Sequence, residues 1–226
     1  MAKRCLLYYI TDRTRFVGDD PVRRRELLVR VAGAARAGVD YIQLRERDLS
    51  ARELETLARD AVAAVRNSAP LRTENRELRT RLLINSRTDV ALAVGADGVH
   101  LRSDDINPNE VRQVVRVFCH RPLTTDHFLV AASCHSKEDV MRAESEGADF
   151  AVFAAVFGKS SAPGTQPTGI AALREACQAR IPVIALGGVT IKNAASCLEA
   201  GAAGIAGIRL FQEHKIEDVV RRLRGL

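Results

Sequence analysis

Four phrases in the chain repeat one joint: Ala37-Gly38-Val39-Asp40, Val94-Gly95-Ala96-Asp97, Glu146-Gly147-Ala148-Asp149 and Ala200-Gly201-Ala202-Ala203. In each, a segment of helical period stops at a glycine and a short apolar run follows. Glycine suits the stop, because a helix commonly ends on a left-handed residue and glycine adopts that conformation without strain. Each phrase reads as a helix end that feeds a strand.

Outward from these joints, the chain alternates between two kinds of segment. Runs rich in Val, Ile, Leu and Ala read as buried parallel strands. They are Cys5–Thr11, Val39–Arg45, Arg81–Ser86, Gly98–Leu101, Phe128–Cys134, Phe150–Val156, Pro182–Gly188 and Gly204–Leu210. Helical period marks Val22–Ala37, Ala51–Arg66, Thr88–Val94, Pro108–Arg116, Lys137–Glu146, Ile170–Ala179, Lys192–Ala200 and Ile216–Leu223. Ser50 with Glu53 forms a capping box, Ser136 with Asp139 a similar one, and Thr190 can cap the seventh helix. Eight strand–helix units in this order predict a closed (β/α)8 barrel, the TIM-barrel class, as one domain over residues 1–226. An open doubly wound sheet is the alternative. No G-x-G-x-x-G follows the first strand, which disfavours it. Asn67–Arg81 is polar and lacks an apolar period, so it reads as a surface excursion with a short helix at Glu74–Leu78.

Composition narrows the function classes. The 226 residues are 46% hydrophobic and 27% charged, which suits a folded globular domain. No apolar run reaches the ~18 residues of a spanning helix, so no membrane partner is expected. Aromatics are 4% with no Trp, and no basic–aromatic signature accompanies the +6 charge, so nucleic acid is not expected either. The same field would steer a phosphorylated small molecule. Five cysteines without a C-x-x-C fit a reducing cytosol, and the protein is expected to be cytoplasmic. An apolar helix face can serve the core or an interface, so a homodimer stays open.

In such barrels the active site collects at the C-terminal ends of the strands. After the second strand, Gln43 and Arg45 alternate with Leu44 and point into the mouth. An inward Arg needs a partner. Phosphate is one, and an internal pair with Glu46 is the other. Asn85-Ser86-Arg87 follows the third strand, and Asp104-Asp105 lies after the fourth. A carboxylate pair there can bind Mg²⁺ or simply charge a helix start. His135 follows the fifth strand among small polar groups, as an acid–base candidate or as a structural histidine. The loop after the sixth strand carries Lys159 and the hydroxyls of Ser160 and Ser161. Gly187-Gly188 and Gly204–Arg209 end the last two strands, where barrels often bind phosphate.

Several phrases then resemble one family, thiamine phosphate synthase/TenI. They are Gln43-Leu44-Arg45-Glu46-Arg47 (family pattern Q-L-R-E-K), Ile84-Asn85-Ser86-Arg87 (I-N-D-R), Gly95–Leu101, Ser133-Cys134-His135-Ser136 (S-x-H-[ST]), Glu146–Phe150 and Ile181–Val189. The resemblance runs from Tyr9 to Phe211. It implies a (β/α)8 barrel that joins 4-amino-2-methyl-5-hydroxymethylpyrimidine diphosphate to 4-methyl-5-(2-phosphoethyl)thiazole or its carboxylate. Thiamine phosphate forms and diphosphate leaves, with Mg²⁺ assisting. By resemblance, Gln43, Arg45, Arg47, Asn85 and Ser133 meet the pyrimidine diphosphate, and Asp105 is a Mg²⁺ ligand. Ser161, Gly169, Gly188, Ile208 and Arg209 would lie at the thiazole phosphate.

The chain departs from the family pattern at four places. Ser86 stands where an Asp binds Mg²⁺, and Arg102-Ser103 replaces Gly-Gln. The T-x-T-K loop reads Lys159-Ser160-Ser161-Ala162, so its lysine is either missing or displaced by three, and Arg209 replaces a small Ser. These departures define two other readings. One is a metal-independent thiazole tautomerase of the TenI kind, with His135 as acid–base group. The other is a non-catalytic thiazole phosphate-binding regulator.

Overall fold

The computed structural model describes residues 4–68, 79–118, 128–158 and 166–226. The strands are β1 (Leu6–Ile10), β2 (Tyr41–Leu44), β3 (Arg81–Asn85), β4 (Gly98–Leu101), β5 (Leu129–Cys134), β6 (Phe150–Ala154), β7 (Val183–Leu186) and β8 (Gly204–Gly207). The helices are α1 (Asp20–Ala37), α2 (Ala51–Ser68), α3 (Thr88–Val94), α4 (Pro108–Phe118), α5 (Lys137–Ser145), α6 (Gly169–Ala176), α7 (Ala194–Glu199), α8 (Arg209–Gln212) and α9 (Ile216–Arg224). All strands are parallel, each pairs with the next, and β8 closes on β1 through Tyr9↔Gly207. The chain is a (β/α)8 barrel. Residues 69–78 of the surface excursion, including its short helix, lie outside the described residues, as do Lys159 and Ser161. No helix among the described residues is long and apolar enough to cross a membrane.

The alternation of strand side chains builds two cores. Side chains facing outward pack under the helices. On α2, Leu54, Leu57, Ala58, Ala61, Val62 and Val65 recur at helical spacing and are all buried. Side chains facing inward fill the barrel: Tyr8, Ile10, Leu83, Ala131, Phe150, Val152, Ile184 and Ala206. Burying one Leu, Val, Ile or Phe contributes about 1.5–3 kcal/mol. The interior is narrow, so two inward positions have no side chain. A Cβ at Gly98 would strike Leu129, and one at Gly204 would strike Leu6.

The four repeated joints behave as expected at their glycines: Gly38, Gly95, Gly147 and Gly201 have φ of 84°, 66°, 88° and 103°. Their aspartates add a tie at the base of the barrel. Asp40 accepts the Leu7 N–H at 2.7 Å, Asp97 that of Leu82 at 2.8 Å and Asp149 that of Val130 at 2.6 Å. An arginine holds each one: Arg224 on Asp40, Arg79 on Asp97 and Arg112 on Asp149. Ala203, at the fourth joint, keeps only the backbone bond, its N–H donating to Val183 O at 2.7 Å.

Several boundaries differ from the sequence reading by a few residues, and two have a visible cause. The eighth strand stops at Gly207, and Arg209 opens α8, because Ile208 turns into the helical region at φ −95° and ψ −70°. The seventh helix begins at Ala194, with Asn193 before it in place of Thr190. The Asn193 side chain accepts the Thr190 N–H at 2.7 Å. Both capping boxes form.

Candidate active site

The mouth is assembled from the residues that follow each strand. Beside β1 and β2, Thr11 Oγ1 donates to Glu46 at 2.6 Å, and Arg13 donates its N–H and Nη1 to the same carboxylate at 2.9 and 3.2 Å. Arg13 also holds Asp20 and Asp48. Thr11 Oγ1 in turn accepts the Arg45 N–H at 2.9 Å, which fixes the backbone from which the Arg45 side chain springs. Glu46 is therefore engaged with Arg13, and the internal Arg45–Glu46 pair is not formed. Among the described residues no carboxylate pairs with Arg45. Its burial, with the Arg47 charge next, lowers its pKa.

On the neighbouring strands, Gln43 is 2% exposed and points inward. Its Nε2 lies 3.4 Å from Asn85 Oδ1, and Asn85 donates to Ser86 Oγ at 3.1 Å. Ser86 adopts φ 62°, a left-handed conformation uncommon for any residue but glycine, and its N–H donates to His100 O at 2.8 Å. Backbone strain of this kind gathers at functional sites. After β4, Arg102 clamps Asp104, while its N–H donates to Asp105 at 2.7 Å. The Asp104–Asp105 pair is thus split, with one carboxylate on a guanidinium and one turned back on its own loop. Among the described residues no three His, Cys, Asp or Glu side chains gather to hold a metal.

His100 is the site residue that sequence reasoning did not single out. Its ring lies inside the barrel, 3.0 Å from Tyr8 Oη and 2.8 Å from Ser133 Oγ. Burial, helped by the Arg45 charge, lowers its pKa to about 3. The available signal was its inward register opposite Asn85 on β3 and Ala131 on β5. His135, by contrast, is exposed on the rim, and its Nδ1 donates to Ala154 O at 2.7 Å. That bond places a proton on Nδ1 and leaves Nε2 outside it.

Across the mouth, β7 and β8 border a cavity of about 600 Å³. Gly187, Gly188, Gly207, Ile208, Arg209 and Arg15 line it. At Gly188, φ is 66° and a Cβ would come within 2.7 Å of Phe157 Cβ, so only backbone faces the space there. Gly169, at the start of α6, gives its N–H to Val156 O at 3.1 Å. The mouth therefore presents Arg45, Gln43 and Asn85 around β2–β3, and at β7–β8 a cavity lined by glycine backbone together with Arg15 and Arg209.

Comparison with known proteins identifies the family. A family profile described as thiamine monophosphate synthase matches residues 7–211. The thiamine-phosphate synthase of Caldanaerobacter subterraneus subsp. tengcongensis is 34% identical over 96% of this chain and 93% of its own. That of Syntrophomonas wolfei is 36% identical over 97% and 95%. The structure of thiamine phosphate pyrophosphorylase from Pyrococcus furiosus superposes with a TM-score of 0.75 at 26% identity, covering 99% of this chain and 95% of that one. A 3-hexulose-6-phosphate synthase structure, at 16% identity and TM-score 0.65, shares the fold alone. The profile, the relatives and the barrel agree, and the chain belongs to the thiamine monophosphate synthase family.

Proposed function

We propose that the mouth carries out the reaction named by its relatives: transfer of the pyrimidine methylene carbon from diphosphate to the thiazole nitrogen, giving thiamine phosphate. The enzyme is a transferase. The observation that carries the assignment of sides is Arg45, a partly buried guanidinium with no carboxylate partner among the described residues and outside the lining of the glycine-bordered cavity. A desolvated cation of this kind is stabilised by an arriving anion. Arg45 and Arg47 take the pyrimidine diphosphate, with Gln43, Asn85 and Ser133 holding the ring end. Gly188, Ile208 and Arg209 take the thiazole phosphate, assisted by Gly169 and by Lys159 and Ser161, which lie outside the described residues.

The chemistry follows from those positions. Diphosphate departs from a benzylic-type carbon, so negative charge grows on the leaving oxygens as the bond breaks. Arg45 and Arg47 stabilise that growing charge. Holding both substrates in one mouth delivers the thiazole nitrogen to the carbon and offsets much of the entropy of bringing them together.

The family implies Mg²⁺, and the donor set accepts it narrowly. Magnesium commonly takes one or two carboxylates plus waters and substrate phosphates. Asp105 supplies one carboxylate and Ser86 a neutral hydroxyl. The Arg102 Nε, 4.0 Å from Asp105 Oδ1, competes for the same charge. A bound Mg²⁺ would neutralise diphosphate oxygens, and this donor set predicts that it binds weakly.

The deciding experiment incubates the protein with both substrates and Mg²⁺ and measures thiamine phosphate. Absence of product from folded protein, with a working control enzyme, overturns the proposal. One observation favours the tautomerase as a second reading: the exposure of His135, whose Nε2 takes no part in the Nδ1–Ala154 bond. If that reading held, His135→Gln would abolish tautomer conversion and EDTA would have no effect on it.

A further inference from the structure

Tyr8, His100 and Ser133 form a line of hydrogen bonds from the centre of the barrel to its mouth. Tyr8 Oη lies 3.0 Å from His100 Nδ1, and His100 Nε2 lies 2.8 Å from Ser133 Oγ. Tyr8 is 0% exposed and His100 3%, whereas Ser133 is half-buried near the open end of β5. The Tyr8 ring is fixed by edge-on contacts with Tyr41 and Phe150, at centroid distances of 5.9 and 5.7 Å.

We propose that this line sets the direction of the Ser133 hydroxyl. Tyr8 holds His100 as the Nε2–H tautomer, His100 donates to Ser133 Oγ, and Ser133 turns its own proton into the mouth as a donor. The inference rests on the reading of Ser133 as a contact for the pyrimidine diphosphate. It deepens that reading by naming the kind of atom Ser133 meets, a hydrogen-bond acceptor.

Counting protons leads to this arrangement. A neutral imidazole has one N–H and one bare nitrogen. Both side chains lie in the dry barrel interior with only neutral hydrogen-bond partners, an environment that disfavours the charged form of each. Among the described residues the phenol proton has no acceptor other than His100 Nδ1. Were Nδ1 to carry the imidazole proton, it would donate to Tyr8 Oη and strand the phenol hydrogen in a dry interior. Buried polar groups are overwhelmingly paired. With Nδ1 bare, Tyr8 donates to it, Nε2–H donates to Ser133, and the only proton left over is that of Ser133. His100 is then a positioning residue, because its ring reaches substrate only through Ser133. Its Nδ1 lone pair is already occupied, so it takes no proton from the reaction.

The test combines a spectrum with kinetics. In protein labelled with ¹⁵N-histidine, the His100 signals are identified by their loss in His100→Gln. They are expected to show a bare Nδ1 and a protonated Nε2. A proton on Nδ1 overturns the relay whatever the kinetics show. Tyr8→Phe removes one oxygen and is expected to raise the KM for pyrimidine diphosphate about tenfold while kcat changes less, the loss of one oriented hydrogen bond. His100→Leu is expected to match it. His100→Gln, whose amide can still donate to Ser133, is expected to stay within about threefold of the parent. Equal losses in His100→Gln and His100→Leu overturn the proposal in favour of packing alone. If the tautomer is as expected but Ser133→Ala leaves that KM unchanged, the Ser133 contact itself is wrong, and the relay's role falls with it.

Discussion

Glu46 turns away from Arg45, its neighbour in sequence, and binds Arg13 instead, 3.2 Å from Nη1. The two side chains are 1% and 5% exposed. Removing one member of a buried pair leaves the other charge uncompensated, at a cost of about 3–5 kcal/mol. Arg13 keeps Asp20 and Asp48, so Glu46→Ala is expected near the lower end, about 3 kcal/mol. It should also raise the KM for pyrimidine diphosphate, because Thr11 loses the acceptor of its hydroxyl and with it the fixed backbone of Arg45. Chemical denaturation and steady-state kinetics on one preparation check both effects.

Arg45 itself is partly buried without a carboxylate, so its removal should tax the reaction far more than the fold. Arg45→Ala is expected to lower kcat/KM for pyrimidine diphosphate by about 10²–10³, the usual loss when one charge-stabilising donor is removed. The KM for the thiazole phosphate should change little. Equal losses for both substrates would show that the two anions are not divided between the two sides of the mouth.

The buried His100 gives stability a defined pH slope. Its folded pKa is lowered to about 3, below the unfolded value of 6.5. The unfolded chain therefore takes up a proton first as pH falls. The stabilisation is complete above pH 6.5 and is lost progressively toward pH 3, at up to about 1.4 kcal/mol per pH unit from this one group. Between pH 6.5 and 5, before most carboxylates titrate, His100→Gln is expected to lose less Tm than the parent. Thermal melts across that interval measure the difference.

The metal requirement offers a gain-of-function test. Ser86→Asp adds a second carboxylate to the proposed Mg²⁺ donor set, at a left-handed position that Asp tolerates better than most residues. The Mg²⁺ concentration for half-maximal synthase rate is expected to fall severalfold. An unchanged requirement would place the metal away from Ser86.

On the opposite side of the mouth, Gly188→Ala should act on the second substrate. Its φ of 66° and the 2.7 Å approach to Phe157 leave no room for a methyl group. The KM for thiazole phosphate is expected to rise about tenfold or more, with the pyrimidine KM little changed, since strain and clash at such a site cost a few kcal/mol. Kinetics with one substrate saturating separates the two constants.

The barrel was legible because its signals are local. A glycine stop, an apolar run and a capping residue each occupy a few neighbouring positions, and Gly38, Gly95 and Gly147 behave as read. The inward direction of Gln43 was legible from register alone, since it alternates with Leu44. What escaped depends on partners distant in sequence. Glu46 chose Arg13, 33 residues away, over its neighbour. His100 joins Tyr8 and Ser133 from three strands. The start of α8 was hidden because Ile208-Arg209-Leu210 fits a strand as well as a helical turn, and the turn comes at Ile208.

The aspartate ties at the base of the barrel recur on every second strand, at β1, β3 and β5, and lapse where Ala203 faces β7. The ring is therefore four two-strand modules, three latched and one held by backbone alone. The unlatched module is the one that carries the glycine-lined cavity. Occupancy of that cavity would supply from above the restraint missing from below, so a ligand there should slow amide exchange in β7 and β8 more than in any latched quarter.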